Sequence, residues 1–320
     1  MKRVFVTGGS GFIGTNLVES LTADSIEVVN FDDRRSRNSK LEPFRREGNI
    51  LDAASLQNAM QEFRPDFVVH LAARCDLDGK TLEDYRDNTD GVRNLIEAVQ
   101  RSPSVERVVF ASSRYVHRNE ERPARDDEYN PFTMYGRSKA EGEKIVRASG
   151  LAVPWIIVRP TSIWGPWFDK PYKNFFDAIR KGYYVHPRGE AIYKTYGFVG
   201  NVVHQIRAFS RSPLELTNGR TLYVADYQPI EVRSMAESIR SCFGAPQVRE
   251  VPLSLMKLMA RAGDVLSKSG FPNPPLTSFR LNNLRAQMVY DINDTRHVVG
   301  ELPFTEEEGI SRTVQWMMGS

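Results

Sequence analysis

The chain has 320 residues, 41% hydrophobic and 26% charged, with a net charge of +3. That is the profile of a globular α/β-sized protein, and so small a charge gives no ground for a nucleic-acid partner. Cys75 and Cys242 lie far apart without metal-ligand spacing, which speaks against a disulfide framework or a metal centre and for a reducing compartment.

Short β-branched runs alternate with longer helical patterns through the first two thirds. The expected strands are Val4–Thr7, Glu27–Phe31, Phe67–Leu71, Val105–Ala111 and Trp155–Arg159, with helices beginning near Phe12, Ala53, Thr81 and Tyr135. Such alternation implies right-handed βαβ crossovers and a parallel sheet with helices on both faces. After Trp164-Gly165-Pro166 the regularity weakens into a Pro-, Gly- and Tyr-rich stretch to about Tyr196. A helix over Val199–Ser210, a strand over Thr221–Ala225 and a helix over Val232–Phe243 follow, the last two expected to rejoin the main sheet region. Pro272, Pro274 and Pro275 break the remainder, which reads as a smaller helical lobe. Leu253–Ser267 is amphipathic, but with Lys257 and Arg261 as its only basic residues it is expected as a core-packed lobe helix. No run approaches the roughly 20 apolar residues that span a bilayer, and the opening Met-Lys-Arg-Val-Phe-Val is short for a signal-peptide core. A cytoplasmic protein without membrane insertion is expected.

"VFVTGGSGFIGTNLVES" places Gly8, Gly11 and Gly14 between the first strand and the first helix. Gly8 permits a tight turn, Gly11 lets backbone approach a pyrophosphate, and Gly14 lets the helix lie against the strand. The helix N-terminus then presents free N–H groups and a positive dipole end to the phosphates. Asp32 closes the next strand, about 20 residues on, where a carboxylate hydrogen-bonds an adenosine ribose. It favours NAD over NADP, although Arg34, Arg35 and Arg37 follow closely and leave NADP as the alternative. The fold class is therefore α/β, a Rossmann-type doubly wound parallel sheet with a smaller, mostly C-terminal substrate-binding lobe. Residues 1–166, with returning segments near 197–226, are assigned to the dinucleotide domain, and 167–196 with 227–320 to the lobe.

"FTMYGRSKAEGEK" sets Tyr135 and Lys139 four residues apart, on one helix face. A phenol of pKa about 10 becomes a usable base when an ammonium and an oxidised nicotinamide stand beside it. With "TGGSGFIG" (7–14), Asp32, "HLAA" (70–73), Asn88, "SS" (112–113), "YGRSK" (135–139), "VRPTSIWGP" (158–166) and "YDINDTRHVVG" (290–300), the chain resembles the extended short-chain dehydrogenase/reductases of the sugar-nucleotide epimerase/dehydratase family. The resemblance implies that Tyr135 is the general acid–base, that Lys139 binds the nicotinamide ribose, and that Ser113 holds the reacting sugar oxygen. It also implies cofactor contacts at Phe12, Ile13, Asn49, Ile50, Leu71, Ala72, Ala73, Asn88 and Ser112, with Asn49-Ile50 standing where Asp-Ile is more usual. On the substrate side it implicates Arg74, Ser113, Arg114, Ser162, Lys194 and Arg280. A homodimer through the helices of Thr81–Gln100 and Tyr135–Ser149 is the family's habit.

The resemblance also bears on the reaction. Dehydrating relatives carry Asp-Glu after the serine or threonine, whereas this chain has Arg114 and Tyr115, and arginine is no general acid at neutral pH. What remains is an NAD-dependent epimerase acting at C4 of a nucleotide-diphosphate sugar, or alternatively an NAD(P)-dependent 4-ketoreductase or dehydrogenase. A non-catalytic NAD-binding regulator and a reductase of steroid-like or aryl aldehyde substrates stand behind them. Cys75 is expected as core filler, while His70 and His117 are expected to pack structurally. Ser162 replaces the family's usual diphosphate-binding Asn, Lys194 its usual Arg, and Asn201 its usual Asp. Arg280 and Arg285 are candidates for a further diphosphate contact or are simply solvated. Trp164 and Trp167 either stack on the base or line the core.

Overall fold

Alternation along each strand divides the hydrophobic residues of the sheet between two cores. On the first strand Val4 and Val6 pack on one face while Phe5 packs on the other. Val109, Ile156 and Val158 join the first set, and Val68, Val108, Phe110 and Ile157 the second. Both faces are thus buried, which is why the strands read as continuous apolar runs. Each fully buried side chain of this size contributes about 1.5–3 kcal/mol.

The protein is described here by a computed structural model covering residues 3–319 except 119, 120, 122, 272, 273 and 275. Its first half runs β1 (Arg3–Thr7), α1 (Phe12–Ala23), β2 (Glu27–Asp32), β3 (Arg45–Glu47), α2 (Ala53–Phe63), β4 (Phe67–His70), α3 (Asp90–Gln100), β5 (Arg107–Ala111), α4 (Met134–Ala148) and β6 (Trp155–Pro160). There follow β7 (Ser162–Trp164), α5 (Tyr172–Arg180), β8 (Val185–Pro187), β9 (Tyr193–Lys194), β10 (Tyr196–Phe198), α6 (Val199–Phe209), α7 (Leu214–Thr217) and β11 (Thr221–Val224). The chain ends with β12 (Ile230–Glu231), α8 (Val232–Phe243), β13 (Arg249–Val251), α9 (Leu253–Lys268), α10 (Ser278–Arg285), α11 (Asn293–Val299) and α12 (Glu306–Gly319).

Seven strands form one parallel sheet in the order β11-β6-β5-β4-β1-β2-β3. This is the Rossmann-type doubly wound sheet expected, with its topological switch point between β1 and β4. Leu17 and Leu21 of α1 and Ile206 of α6 cover one face; Leu56 of α2, Leu95 of α3 and Val146 of α4 cover the other.

Four differences from the sequence reading have physical causes. The edge strand β3 is Arg-Arg-Glu, with no apolar pattern to announce it. The helix expected from Thr81 starts with a 3-10 turn, Glu83–Asn88, and becomes α-helical only at Asp90. Three two-stranded pairs, β7-β10, β9-β12 and β8-β13, are too short for periodicity to signal. Finally, α8 forms where expected but packs against α5 and α12 instead of the sheet. Of the proline break, Pro272 and Pro275 lie outside the described residues.

Helix α9 is core-packed along one stripe only. Met256 and Ala260 are buried with Leu281 of α10, whereas Leu255, Leu258, Met259, Val265 and Leu266 are exposed.

Candidate active site

The turn after β1 is shaped by close backbone approach. Gly8 sits at φ +74°, and a Cβ there would run into the Ala72 amide. A Cβ on Gly14 would meet the Gly8 carbonyl. Gly11 caps α1 without a side chain of its own, so the amides of the first turn, through Phe12 and Ile13, lack a protein cap. The segment Leu71–Ala73 leaves β4 beside this turn, with the Leu71 amide bonded to the Thr7 carbonyl at 2.9 Å. A diphosphate fits a cradle of this kind, because backbone and not side chain would face it.

Asp32 lies at the C-terminal end of β2 and accepts from the amides of Ser10 and Arg34, both at 2.9 Å. Burial pushes its pKa up, and those two bonds pull it back. A carboxylate has about four acceptor positions, so capacity for ribose hydroxyls remains. Asp33 stands next to it, and Asp87, raised by burial and by Asp33, adds a third carboxyl on that side. Together they disfavour a 2′-phosphate. Asn49 Nδ2 donates to Asp33 at 3.2 Å, and its carbonyl oxygen accepts from the Leu51 amide at 2.8 Å. Ile50 is buried in the core.

At the end of β5 the two serines do different work. Ser112 donates to Glu143 Oε1 at 2.5 Å. Ser113 caps the turn Arg114–Val116, accepting from the Tyr115 amide at 3.2 Å. Thr133 caps α4, and the 3.6-residue repeat then sets Tyr135, Lys139 and Glu143 along one buried face. Lys139 Nζ donates to the Ala111 carbonyl at 3.0 Å.

Burial raises the Tyr135 pKa well above the ordinary range, Cys75 adds to this, and Ser113 opposes it. Burial lowers that of Lys139, with Cys75 and Glu143 opposing. Cys75 is therefore not core filler: it is exposed and lies against the phenol. The two positions that follow Ser113 are Arg114 and Tyr115, neither of them a carboxyl. Tyr115 packs edge-on against Tyr135 at 5.8 Å and stacks on Phe132.

A buried polar network stands behind this set. Glu143 receives Arg159 Nε at 2.8 Å and Nη2 at 2.7 Å, and also the Tyr129 hydroxyl at 3.1 Å. Neither Glu143 nor Arg159 was singled out by sequence; the signal available was a third polar residue at four-residue spacing after Tyr135 and Lys139. Asn88 spends both ends of its amide on the Arg74 backbone and on Ser138 Oγ, at 2.8–3.0 Å. His70 pairs with Thr7 Oγ1 at 2.7 Å, its pKa pushed down to about 3 by burial and by Lys139. His117 bridges the Tyr223 hydroxyl and the Glu128 carbonyl. Both histidines are structural, as expected.

The substrate-side candidates separate into two groups. Arg114 is buried over the Tyr115 ring at 4.4 Å and reaches the Tyr290 hydroxyl at 3.4 Å. Lys194 is buried, donates to the Asn283 carbonyl at 2.6 Å, and has its pKa lowered to about 8 by burial and by the charge of Arg114. Ser162 is buried, and the Tyr172 pKa, raised by burial, is held back by Arg114 and Ser162. These three converge, and Tyr172 and Tyr290 join them unannounced by any sequence pattern. The others are engaged elsewhere. Arg74 is held by Asp76 at 2.8 and 3.0 Å. Arg280, exposed on α10, donates to the Pro274 carbonyl. Arg285 forms a two-pronged pair with Glu190 at 2.7 Å. Asn201 bonds Asp226 and the Phe304 carbonyl. Trp164 is a core residue between Phe176 and Phe198, and Trp167 packs on Trp316.

Comparison with known proteins agrees with this architecture. A family model described as the NAD dependent epimerase/dehydratase family matches residues 4–194. The N-acetyl-alpha-D-glucosaminyl-diphospho-ditrans,octacis-undecaprenol 4-epimerase of Escherichia coli O157:H7 is 27% identical, over 98% of this chain and 95% of its own. A 3 beta-hydroxysteroid dehydrogenase/Delta 5→4-isomerase of Mycobacterium tuberculosis is 27% identical over 99% and 90%. The crystal structure of Thermotoga maritima UDP-glucose 4-epimerase with UDP-glucose superposes with a TM-score of 0.76 at 19% identity, covering 99% of both chains, a likeness of fold.

Proposed function

The chain belongs to the NAD dependent epimerase/dehydratase family, and on that premise we propose that it inverts C4 of a nucleotide-diphosphate sugar by transient oxidation and return of hydride. The observation that carries this reading is the pair that follows Ser113: Arg114 lies over the Tyr115 ring and Tyr115 packs against the Tyr135 ring, so neither position offers a carboxyl. Removing water from the sugar would require an acid for the departing hydroxyl and a base for the neighbouring proton, and Arg114 can serve as neither.

Bound NAD supplies the hydride acceptor and donor. Gly8, Gly11 and Gly14 let the α1 amides reach its diphosphate, and Asp32 takes the adenosine ribose hydroxyls. Tyr135 removes the C4 hydroxyl proton as the carbonyl forms and gives it back when the carbonyl is reduced. Ser113 holds that oxygen over the phenol. Because burial keeps the phenol protonated, it ionises only when positive charge is close, and Lys139, anchored on Ala111, is the chain's own source. Arg114, Lys194 and Ser162 hold the substrate beyond the reacting carbon.

A second reading keeps the chemistry and changes the carrier, from a nucleotide to a polyprenol as in the name of the Escherichia coli relative. The exposed apolar side of α9 favours it. The test is to incubate the purified protein, with its retained nucleotide, with UDP-N-acetylglucosamine or with the same sugar on a polyprenyl diphosphate. NMR of the products should show both C4 epimers, reached from either side, without net NADH. Stoichiometric NAD(P)H consumption on a keto-sugar with no epimer formed would make the protein a ketoreductase instead.

A further inference from the structure

We propose that the outer face of α9 docks the protein on an anionic lipid bilayer surface. At 3.6 residues per turn, Leu255, Leu258, Met259, Val265 and Leu266 fall within an arc of about 120°. That arc is turned away from the stripe of Met256, Ala260 and Gly263 that faces the protein. The helix is apolar on two sides, and one of them is exposed among the described residues. Leu258 is 64% and Val265 67% exposed; Phe271 follows the helix at 55%, and Phe279 on α10 is 62% exposed. Single exposed apolar residues are ordinary, but five of them on one helix face mark an interaction surface.

Charge selects the occupant. Residues 253–285 hold five Lys/Arg and one Asp, a net +4 against +3 for the whole chain. The cations of α9, Lys257, Arg261 and Lys268, are exposed and make no ion pair among the described residues. By helical geometry they form one row along the border of the apolar arc. The one acid, Asp264, accepts from the amide and the hydroxyl of Ser278 and feels the charge of Lys268. Leu, Met and Val on one face with a row of lysine and arginine beside it is the pattern that lies in the headgroup region of anionic bilayers. No helix among the described residues is long and apolar enough to cross a membrane, so the contact is peripheral. The neighbouring α10 supplies the Asn283 carbonyl to Lys194, so the docked face and the substrate side share one two-helix unit. Docking does not depend on which sugar, or which carbon, is the site of chemistry.

The test is co-sedimentation of the full chain, carrying its nucleotide, with vesicles of phosphatidylglycerol and phosphatidylcholine or of phosphatidylcholine alone. The protein should pellet with the anionic vesicles and be released by salt. The triple change Lys257→Gln, Arg261→Gln, Lys268→Gln should lower partitioning about tenfold or more. Leu258→Ser with Val265→Ser should abolish it, with melting temperature and bound nucleotide unchanged in both variants. Failure to pellet with anionic vesicles, or equal pelleting of the variants, overturns the proposal. So does light scattering that shows the serine variant splitting a dimer while the parent stays off the vesicles; the face is then a contact between two copies.

Discussion

The strand ends around β1 and β4 and the two-helix unit of α9 and α10 use hydrophobic residues in opposite ways. In the sheet every alternate side chain meets a core, Val4 and Val6 on one face and Phe5 on the other. In α9 the small inward residues Ala260 and Gly263 are buried, while the larger Leu258 and Val265 face outward. An apolar residue reports burial only where a neighbour exists to bury it. The sheet guarantees that neighbour through its covering helices, and a peripheral helix does not.

The largest effect should come from the polar set that the sheet presents. Tyr135→Phe removes the proton carrier without altering packing, and should lower kcat by about 10²–10⁴ with KM and melting temperature little changed. A variant turning over at the parental rate would show that the phenol is not the acid–base. Next is the network behind it. Glu143→Ala leaves Arg159, whose side chain is 0% exposed, without its carboxylate, and should cost about 3–5 kcal/mol in urea unfolding. Replacing both residues with apolar ones should recover part of that loss, since the desolvation of the ions then disappears too. Met256→Ala, a cavity in the small core between α9 and α10, should cost about 2–5 kcal/mol. A value near zero would mean that α9 is held from its outer side.

The same contrast separates what could be read from the sequence from what could not. Gly8, Asp32, Tyr135 and Lys139 announce themselves because each role follows from position relative to a strand end or a helix turn. The sequence pattern found six strands of the sheet and passed over β3, whose Arg-Arg-Glu pairs with β2 in the ladder. Cys75 was invisible because its approach to Tyr135 depends on a loop held by Asn88 and Arg74. Tyr172 and Tyr290 reach Ser162 and Arg114 from more distant elements, and no local spacing encodes that. Arg280 and Arg285 looked like anion ligands by type, yet the fold gives them the Pro274 carbonyl and Glu190. In a lobe built from long-range contacts, residue type predicts capacity and topology decides its use.

Lys194 tests the boundary between the two regions through pH. Burial and the Arg114 charge lower its pKa to about 8, so in the free enzyme the ammonium is present below that pH and lost above it. An anionic substrate needs the ammonium, and kcat/KM should therefore fall above about pH 8, by up to about tenfold per unit. Lys194→Arg should keep kcat/KM level through that range, because the guanidinium stays charged. A parental profile level to pH 10 would place the diphosphate elsewhere.

The smallest effect is the most telling about α9. Leu258 is as apolar as Leu281, which is buried in the core between α9 and α10, and on composition alone Leu258→Ser ought to be costly. Its side chain is exposed, so in solution the change should move stability by no more than about 0.5 kcal/mol, measured by the same urea unfolding as Met256→Ala. Met256 and Leu258 are two residues apart on one helix, and the ratio of their effects measures how completely the fold uses one side of α9 and leaves the other for a different surface. A comparable cost at both positions would mean that Leu258 is covered in solution, and the contrast between sheet and lobe would then be one of degree.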